Sequence, residues 1–308
     1  MKKSINTLFG ILALLLLVQC SEPENPIYTV LDTFTNGAII RTVEIKSAEF
    51  NSFDDSTFFE VMIEEQDEEN GGLLQEVRVY INFDDNTSAN GTTAKGEKLY
   101  QTIPASGFTN GEFGLPRTSF KISLAEAVGA LSLASNEFTG GDAIDIRFEL
   151  QLTDGRIFTN TDSTGSLQGS FFSAPYIYKS VIKCIPLSAV SGIYTFEMSD
   201  SYGDGWQGSQ IKVTVDGTTT YYGIPSPYDA EADHNALIEA YTGDDSSGKS
   251  QITIPATAQT MKFEFIRGRF PSECSFTINY TALDGTNAQS AFSESNPAAG
   301  EKILSVCE

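Results

Sequence analysis

The sequence has 308 residues and carries 41 Asp and Glu against 19 Lys and Arg, a formal charge of −22. A surface this acidic repels nucleic acid and anionic lipid headgroups, and it suits neutral sugars, peptides and cations, Ca²⁺ in particular. With 21 Phe and 12 Tyr, the chain has the apolar mass for packed cores and is not a disordered acidic tail.

Lys2 and Lys3 precede an apolar run from Leu8 to Val18 that is too short to span a bilayer comfortably, and Cys20 follows it. This order predicts a secretory signal peptide over 1–19. A cysteine directly after the apolar run resembles the lipobox of bacterial lipoproteins, with Gln19 where Gly, Ala or Ser is usual. The resemblance implies cleavage before Cys20, a covalent lipid on its thiol and anchorage in the outer membrane. Residues 20–26 then form a tether in which Pro23 and Pro26 forbid a helix. Ser21 followed by Glu22 and Glu24 resembles the signal that carries Bacteroidota lipoproteins to the cell surface; a solvated linker facing the periplasm is the alternative. Cleavage removes Lys2 and Lys3, leaving 17 basic against 41 acidic residues and a formal charge of −24.

The rest of the chain is expected to be all-β: two antiparallel β-sandwich domains, an immunoglobulin-like one over 27–182 and a jelly-roll-like one over 183–308. Period-two alternation is common and helix signals are scarce. In the first domain Phe59, Val61 and Ile63 alternate with Phe58, Glu60 and Met62, and Val77, Val79, Ile81 and Phe83 alternate with Arg78, Tyr80 and Asn82. Between these strands Glu64-Glu65-Gln66-Asp67-Glu68-Glu69-Asn70-Gly71-Gly72 reads as a solvated hairpin tip, with a cation loop as the alternative. Ser123 to Leu133 predicts one short helix, capped by Ser123 with Glu126 three residues on. Ile144 to Leu152 alternates again, and Asp154-Gly155 predicts a two-residue hairpin turn leading to Ile157 and Phe158.

Pro26-Ile27-Tyr28, Thr153-Asp154-Gly155-Arg156 and Phe171-Phe172-Ser173-Ala174-Pro175-Tyr176 give this domain its family likeness. It resembles the immunoglobulin-like N-terminal domains of accessory lipoproteins that accompany Bacteroidota TonB-dependent transporters of the starch-utilisation type. The resemblance implies a TonB-dependent barrel and a substrate-binding lipoprotein as partners.

The second domain opens at Cys184-Ile185-Pro186-Leu187. Tyr194, Phe196 and Met198 lie on a strand leading into Asp200-Ser201-Tyr202-Gly203-Asp204-Gly205-Trp206-Gln207-Gly208, and Ile211, Val213 and Val215 lie on the strand that leaves it. Three glycines and two aspartates in nine residues specify a backbone path, because Gly supplies left-handed positions and Asp oxygens bind nearby amides or an ion. The motif resembles the D-S-Y-G-D-G-W-N-G signature of β-sandwich modules in surface and secreted Bacteroidota proteins, with Gln207 in place of Asn. Three readings stand. Asp200 and Asp204 hold Ca²⁺, or they only cap amides while Trp206 closes the core, or Trp206 is exposed with Tyr221 and Tyr222 as a stacking platform for sugar rings. Further strands are expected around Ile252 and Ile254, Met261 to Phe265, and Phe276 to Tyr280. Export favours disulfides; Cys184 and Cys307, at the two ends of the module, are the preferred pair, with pairings through Cys274 as alternatives.

Catalytic signals are sparse. His234, the single histidine, stands in a polar stretch without a second ligand at metal spacing and is expected to be solvent-exposed. No G-x-S-x-G, phosphate-cradling glycine loop or H-E-x-x-H occurs. The chain is therefore expected to be a non-catalytic surface lipoprotein of a TonB-dependent barrel complex, or else a stand-alone Ca²⁺-dependent carbohydrate-binding or adhesive module.

Overall fold

The computed structural model describes residues 36–307, apart from 89, 170 and 171. The signal peptide, Cys20, the tether, Pro26-Ile27-Tyr28 and Phe171 lie outside the described residues. The chain has an all-β, sandwich-type fold.

The first sandwich contains β1 (Ile39–Ser47), β2 (Glu49–Asn51), β3 (Phe58–Gln66), β4 (Leu74–Asp84), β5 (Lys98–Pro104), β6 (Thr109–Asn110), β7 (Pro116–Ser123), β8 (Ala143–Leu152), β9 (Ile157–Phe158) and β10 (Ile177–Lys183). One sheet runs β1-β3-β7-β6 and the other β2-β10-β8-β4-β5, with β9 on β8. The predicted alternation becomes the core: Phe59, Val61, Ile63, Val77, Val79, Ile81, Ile144, Ile146, Phe148 and Leu150 are all buried. Edge-to-face rings link Tyr100, Phe120, Phe148 and Tyr178 through the interior, each pair favoured beyond its burial by the ring quadrupoles. The helix α1 (Leu124–Leu131) forms where the capping box requires it, with the Glu126 amide donating to Ser123 Oγ and the Ser123 amide donating to Glu126 Oε2.

The sheets are antiparallel as expected, with one short parallel addition where the chain leaves β1, crosses to the other sheet and lays β2 beside β10. Two expectations for this domain need correction. The hairpin at Asp154-Gly155 is not two residues long. Gln151 pairs with Ile157 and the Leu152 amide donates to Arg156 O, so Thr153, Asp154 and Gly155 form a three-residue loop with Gly155 at φ +88°. The acidic stretch is not a solvated tip, since β3 extends to Gln66 and buries Glu64 and Glu65 completely. Glu64 is compensated by a row across three strands: Arg41 on β1 and Arg117 on β7 stand in register on either side of it, and both form ion pairs with its carboxylate. Asp67 is turned inward as well. Its carboxylate accepts from the amides of Glu69, Gly71 and Leu73 at 2.7–2.8 Å and so shapes the turn.

The second sandwich contains β11 (Gly192–Asp200), β12 (Gln210–Val215), β13 (Thr218–Tyr222), β14 (Thr242–Gly243), β15 (Ser247–Ile254), β16 (Met261–Ile266), β17 (Cys274–Thr281), β18 (Gln289–Ser295) and β19 (Gly300–Lys302). Its sheets run β14-β15-β11-β17-β18 and β13-β12-β16-β19, and every strand pairing in them is antiparallel. Tyr194, Phe196, Met198, Ile211, Val213, Phe263, Phe265, Phe276, Ile278 and Tyr280 fill the space between the sheets. β12 and β13 close through Asp216-Gly217, both at positive φ (47° and 83°), with Val215 opposite Thr218. This is the chain's two-residue aspartyl-glycine hairpin.

Cys184 and Cys307 are disulfide-bonded, with Cα atoms 5.0 Å apart, and Cys274 is a buried free thiol. The bridge lies at the junction of the sandwiches. Ser52 Oγ donates to Cys184 Sγ at 3.3 Å, and a Cβ on Gly140 would collide with both sulfurs. Asn51 clasps the connecting segment, its amide donating to Ile185 O at 2.8 Å and its Oδ1 accepting from the Ile185 amide at 2.9 Å. The C-terminal segment is laced to the same place by the Val306 amide, which donates to Cys184 O.

Candidate functional site

The loop from Asp200 to Ser209 joins β11 of one sheet to β12 of the other, and it is held from several directions. Within it, Asp200 Oδ1 accepts from the Tyr202 amide at 3.0 Å and Oδ2 from the Asp204 amide at 3.2 Å. From outside, the Gly205 amide donates to Asp245 O, the Trp206 amide to Ile224 O and the Arg269 amide to Gln207 O. Gly205, at φ +81°, has no room for a Cβ because the backbone of Pro225 and Ser226 occupies that space. Gly205→Ala combines a left-handed backbone with a steric clash. It is expected to destabilise this sandwich by about 2–4 kcal/mol, read from a shift of the thermal transition followed by Trp206 fluorescence.

Trp206 does not form a sugar platform. Its indole is buried, donating Nε1–H to Ser199 O at 3.0 Å and packing against Phe265 and Phe276 with ring centroids 5.9 and 6.1 Å away. Tyr222 is buried too, its ring 4.5 Å from that of Phe196, while Tyr221 is half-buried on the other face of β13. The physical reason is the loop's exit into β12. It turns the tryptophan into the core beside Phe265 and Phe276, where burying its large apolar area stabilises more than exposing it.

Asp200 and Asp204 come together with a third carboxylate that the motif does not contain. Glu273 lies just before β17, and the pairing of Asp200 with Cys274 carries it to the loop, where the Ser201 amide donates to Glu273 O at 3.0 Å. One oxygen from each of Asp200, Asp204 and Glu273 lies within 4.8 Å of the others. Asp204 Oδ1 is buried without a hydrogen-bond partner, and no Lys or Arg among the described residues pairs with any of the three carboxylates. Loss of hydration and the neighbouring charges of Asp200 and Asp204 raise the pKa of Glu273 above the ordinary carboxylate value. The donor set is all oxygen, which suits a hard divalent cation such as Ca²⁺ better than zinc or copper.

Beside the carboxylates is a cavity of about 240 Å³ lined by Tyr202, Asp204, Gln207, Tyr228, Phe270 and Glu273. Of these only Asp204 belongs to the residues singled out as ligating or stacking. Tyr202 and Gln207 are legible as members of the nine-residue motif, whereas Tyr228, Phe270 and Glu273 carry no local signal. His234 is half-exposed, with Nδ1 3.5 Å from the buried carboxylate of Glu231, which also faces Arg269 at 3.4 Å. No protein-family model matches the sequence, and no curated protein shows significant similarity to it.

Proposed function

We propose that the chain is a non-catalytic, lipid-anchored protein of the outer-membrane surface whose C-terminal sandwich is a Ca²⁺-dependent ligand-capture module. The observation that carries the module's role is the convergence of Asp200, Asp204 and Glu273 without a basic partner. Three carboxylates held this close repel one another, and the buried Asp204 oxygen bears an uncompensated desolvation cost. A bound divalent cation removes both penalties, and loop carbonyls and water would complete its shell. The lipid anchor rests on Cys20 behind the signal peptide. An accessory role beside a TonB-dependent barrel and its substrate-binding lipoprotein rests on the family likeness of the first domain.

The test is a melt followed by Trp206 fluorescence in Ca²⁺ and in chelator. At a hundredfold excess over Kd, Ca²⁺ is expected to raise the transition by roughly 5–10 °C, and Asp204→Asn is expected to abolish the shift. An unchanged transition removes the calcium reading. Purification of the tagged protein from native membranes in mild detergent tests the partner reading: a barrel protein recovered in near-stoichiometric amount supports it, and a protein that comes off alone opposes it.

A further inference from the structure

We infer that the cavity beside the carboxylates binds a pyranose ring of a neutral glycan, with Tyr202, Tyr228 and Phe270 as the stacking surface and Gln207, Asp204 and Glu273 as hydroxyl-binding groups. The inference rests on the Ca²⁺-dependent capture reading for the source of its cation, while the stacking surface stands on separate observations.

Tyr202, Tyr228 and Phe270 are 74%, 53% and 51% exposed, the most exposed aromatic side chains among the described residues of this sandwich. They come from three separate segments: the Asp200–Ser209 loop, the connection after β13 and the loop between β16 and β17. All three meet at one cavity. The other exposed large apolar side chains of this sandwich are aliphatic and line no part of it. Rings gathered at a concave polar site supply flat faces for the C–H face of a sugar, while their exposure costs solvation at an isolated surface position.

Gln207 adds a second, independent observation. It is 6% exposed, lines the cavity, and its side-chain amide makes no hydrogen bond with any described residue. Its backbone is held at φ +44° with its carbonyl accepting from the Arg269 amide, which fixes the point from which the side chain reaches the cavity. An amide at the cavity wall whose donor and acceptor are both unused by the protein matches a ligand that offers both, as a sugar hydroxyl does. Asp204 and Glu273 accept hydroxyl protons on the same wall, and a cation between them and Asp200 accepts hydroxyl oxygens. The cavity lining carries carboxylates and no basic group, which disfavours anionic sugars. At about 240 Å³ it is smaller than the ~300–1,000 Å³ of common ligand pockets, so it takes one ring, a chain end or a single branch.

The test uses the full mature chain on immobilised neutral mono- and oligosaccharides, sialylated glycans and glucosamine, in Ca²⁺ and in chelator, beside a calorimetric titration with Ca²⁺ alone. The expected result is retention on neutral glycans. The double variant Tyr202→Ala, Phe270→Ala is expected to lose roughly 10- to 100-fold in glycan affinity while keeping its Ca²⁺ affinity. Gln207→Ala is expected to weaken glycan binding in the same direction. The inference is overturned if the wild type binds Ca²⁺ but retains no neutral glycan, if it retains only the amino sugar, or if the double variant binds like the wild type. Absence of Ca²⁺ binding with neutral-glycan retention that the double variant abolishes supports the platform and sinks only the calcium dependence.

Discussion

Cys184→Ser, Cys307→Ser, or reduction of the wild type, is expected to destabilise the C-terminal sandwich by about 3–5 kcal/mol. The bridge joins residues 123 apart in sequence, and the entropy that such a link removes from the unfolded chain grows with the logarithm of the loop. It encloses the whole second core, from Val190 to Val306, and none of the first. The effect should therefore be confined to one sandwich. Trp206, the only tryptophan, reports on that sandwich alone, whereas far-UV circular dichroism reports on both. In reductant the fluorescence transition should fall by on the order of 10–20 °C, and a dichroism transition belonging to the first sandwich should stay in place. A fluorescence transition unmoved by reductant would mean that the sheet pairings already restrain the two chain ends.

Glu65→Gln is expected to stabilise the first sandwich at alkaline pH and to leave it nearly unchanged in acid. Glu65 follows Phe59, Val61 and Ile63 on the inward face of β3, and both its oxygens are buried without a partner. Desolvation, and then the nearby charge of Asp67, push its pKa up to about 8. From the ordinary carboxylate range up to about pH 8, the native chain therefore keeps a proton that the unfolded chain has released. Stability is fully present in acid, falls as the pH rises through that window and levels off above it. Glutamine cannot ionise, so the variant escapes a penalty of about 3–5 kcal/mol at pH 8.5 and gains little at pH 4. Urea denaturation followed by circular dichroism at the two pH values measures this. Equal effects at both would show that Glu65 is ionised in the native state and compensated there.

Glu64 and Glu65 also show why composition alone does not place the acidic stretch. Composition says that five carboxylates in six residues belong in water, and for Glu68 and Glu69 they are exposed. The burial of the first two follows from β3 continuing past Ile63. Glu64 is tolerated because Arg41 and Arg117, 23 and 53 residues away, fall opposite it in the register of three strands. Such pairing is a property of the sheet and leaves no trace in the local sequence.

Local chemistry, by contrast, was legible. The alternation of Phe59 to Ile63, Val77 to Phe83, Ile144 to Leu152 and Tyr194 to Met198 determined which faces are buried, because a strand presents successive side chains to opposite sides. Ser123 and Glu126 determined the start of α1, and the spacing of Cys184 and Cys307 at the module's ends marked the disulfide. The aspartyl-glycine pair occurs four times, at 154–155, 204–205, 216–217 and 284–285, and by itself is ambiguous about loop length. That length depends on which residues pair beyond the turn, as Leu152 with Arg156 and Val215 with Thr218 show.

The candidate site divides along the same line. Asp200, Asp204 and the glycines that fold the loop stand within nine residues, so the sequence alone determined that a specific backbone exists there. Glu273, Tyr228 and Phe270 join it only through the antiparallel pairing of β11 with β17 and the packing of two connections over the sandwich end. The same tertiary structure sent Trp206 inward and left Tyr202 outward. Which of two nearby aromatics is buried is decided by the side of the loop that meets Phe265 and Phe276, a contact between strands far apart in the chain that no local pattern encodes.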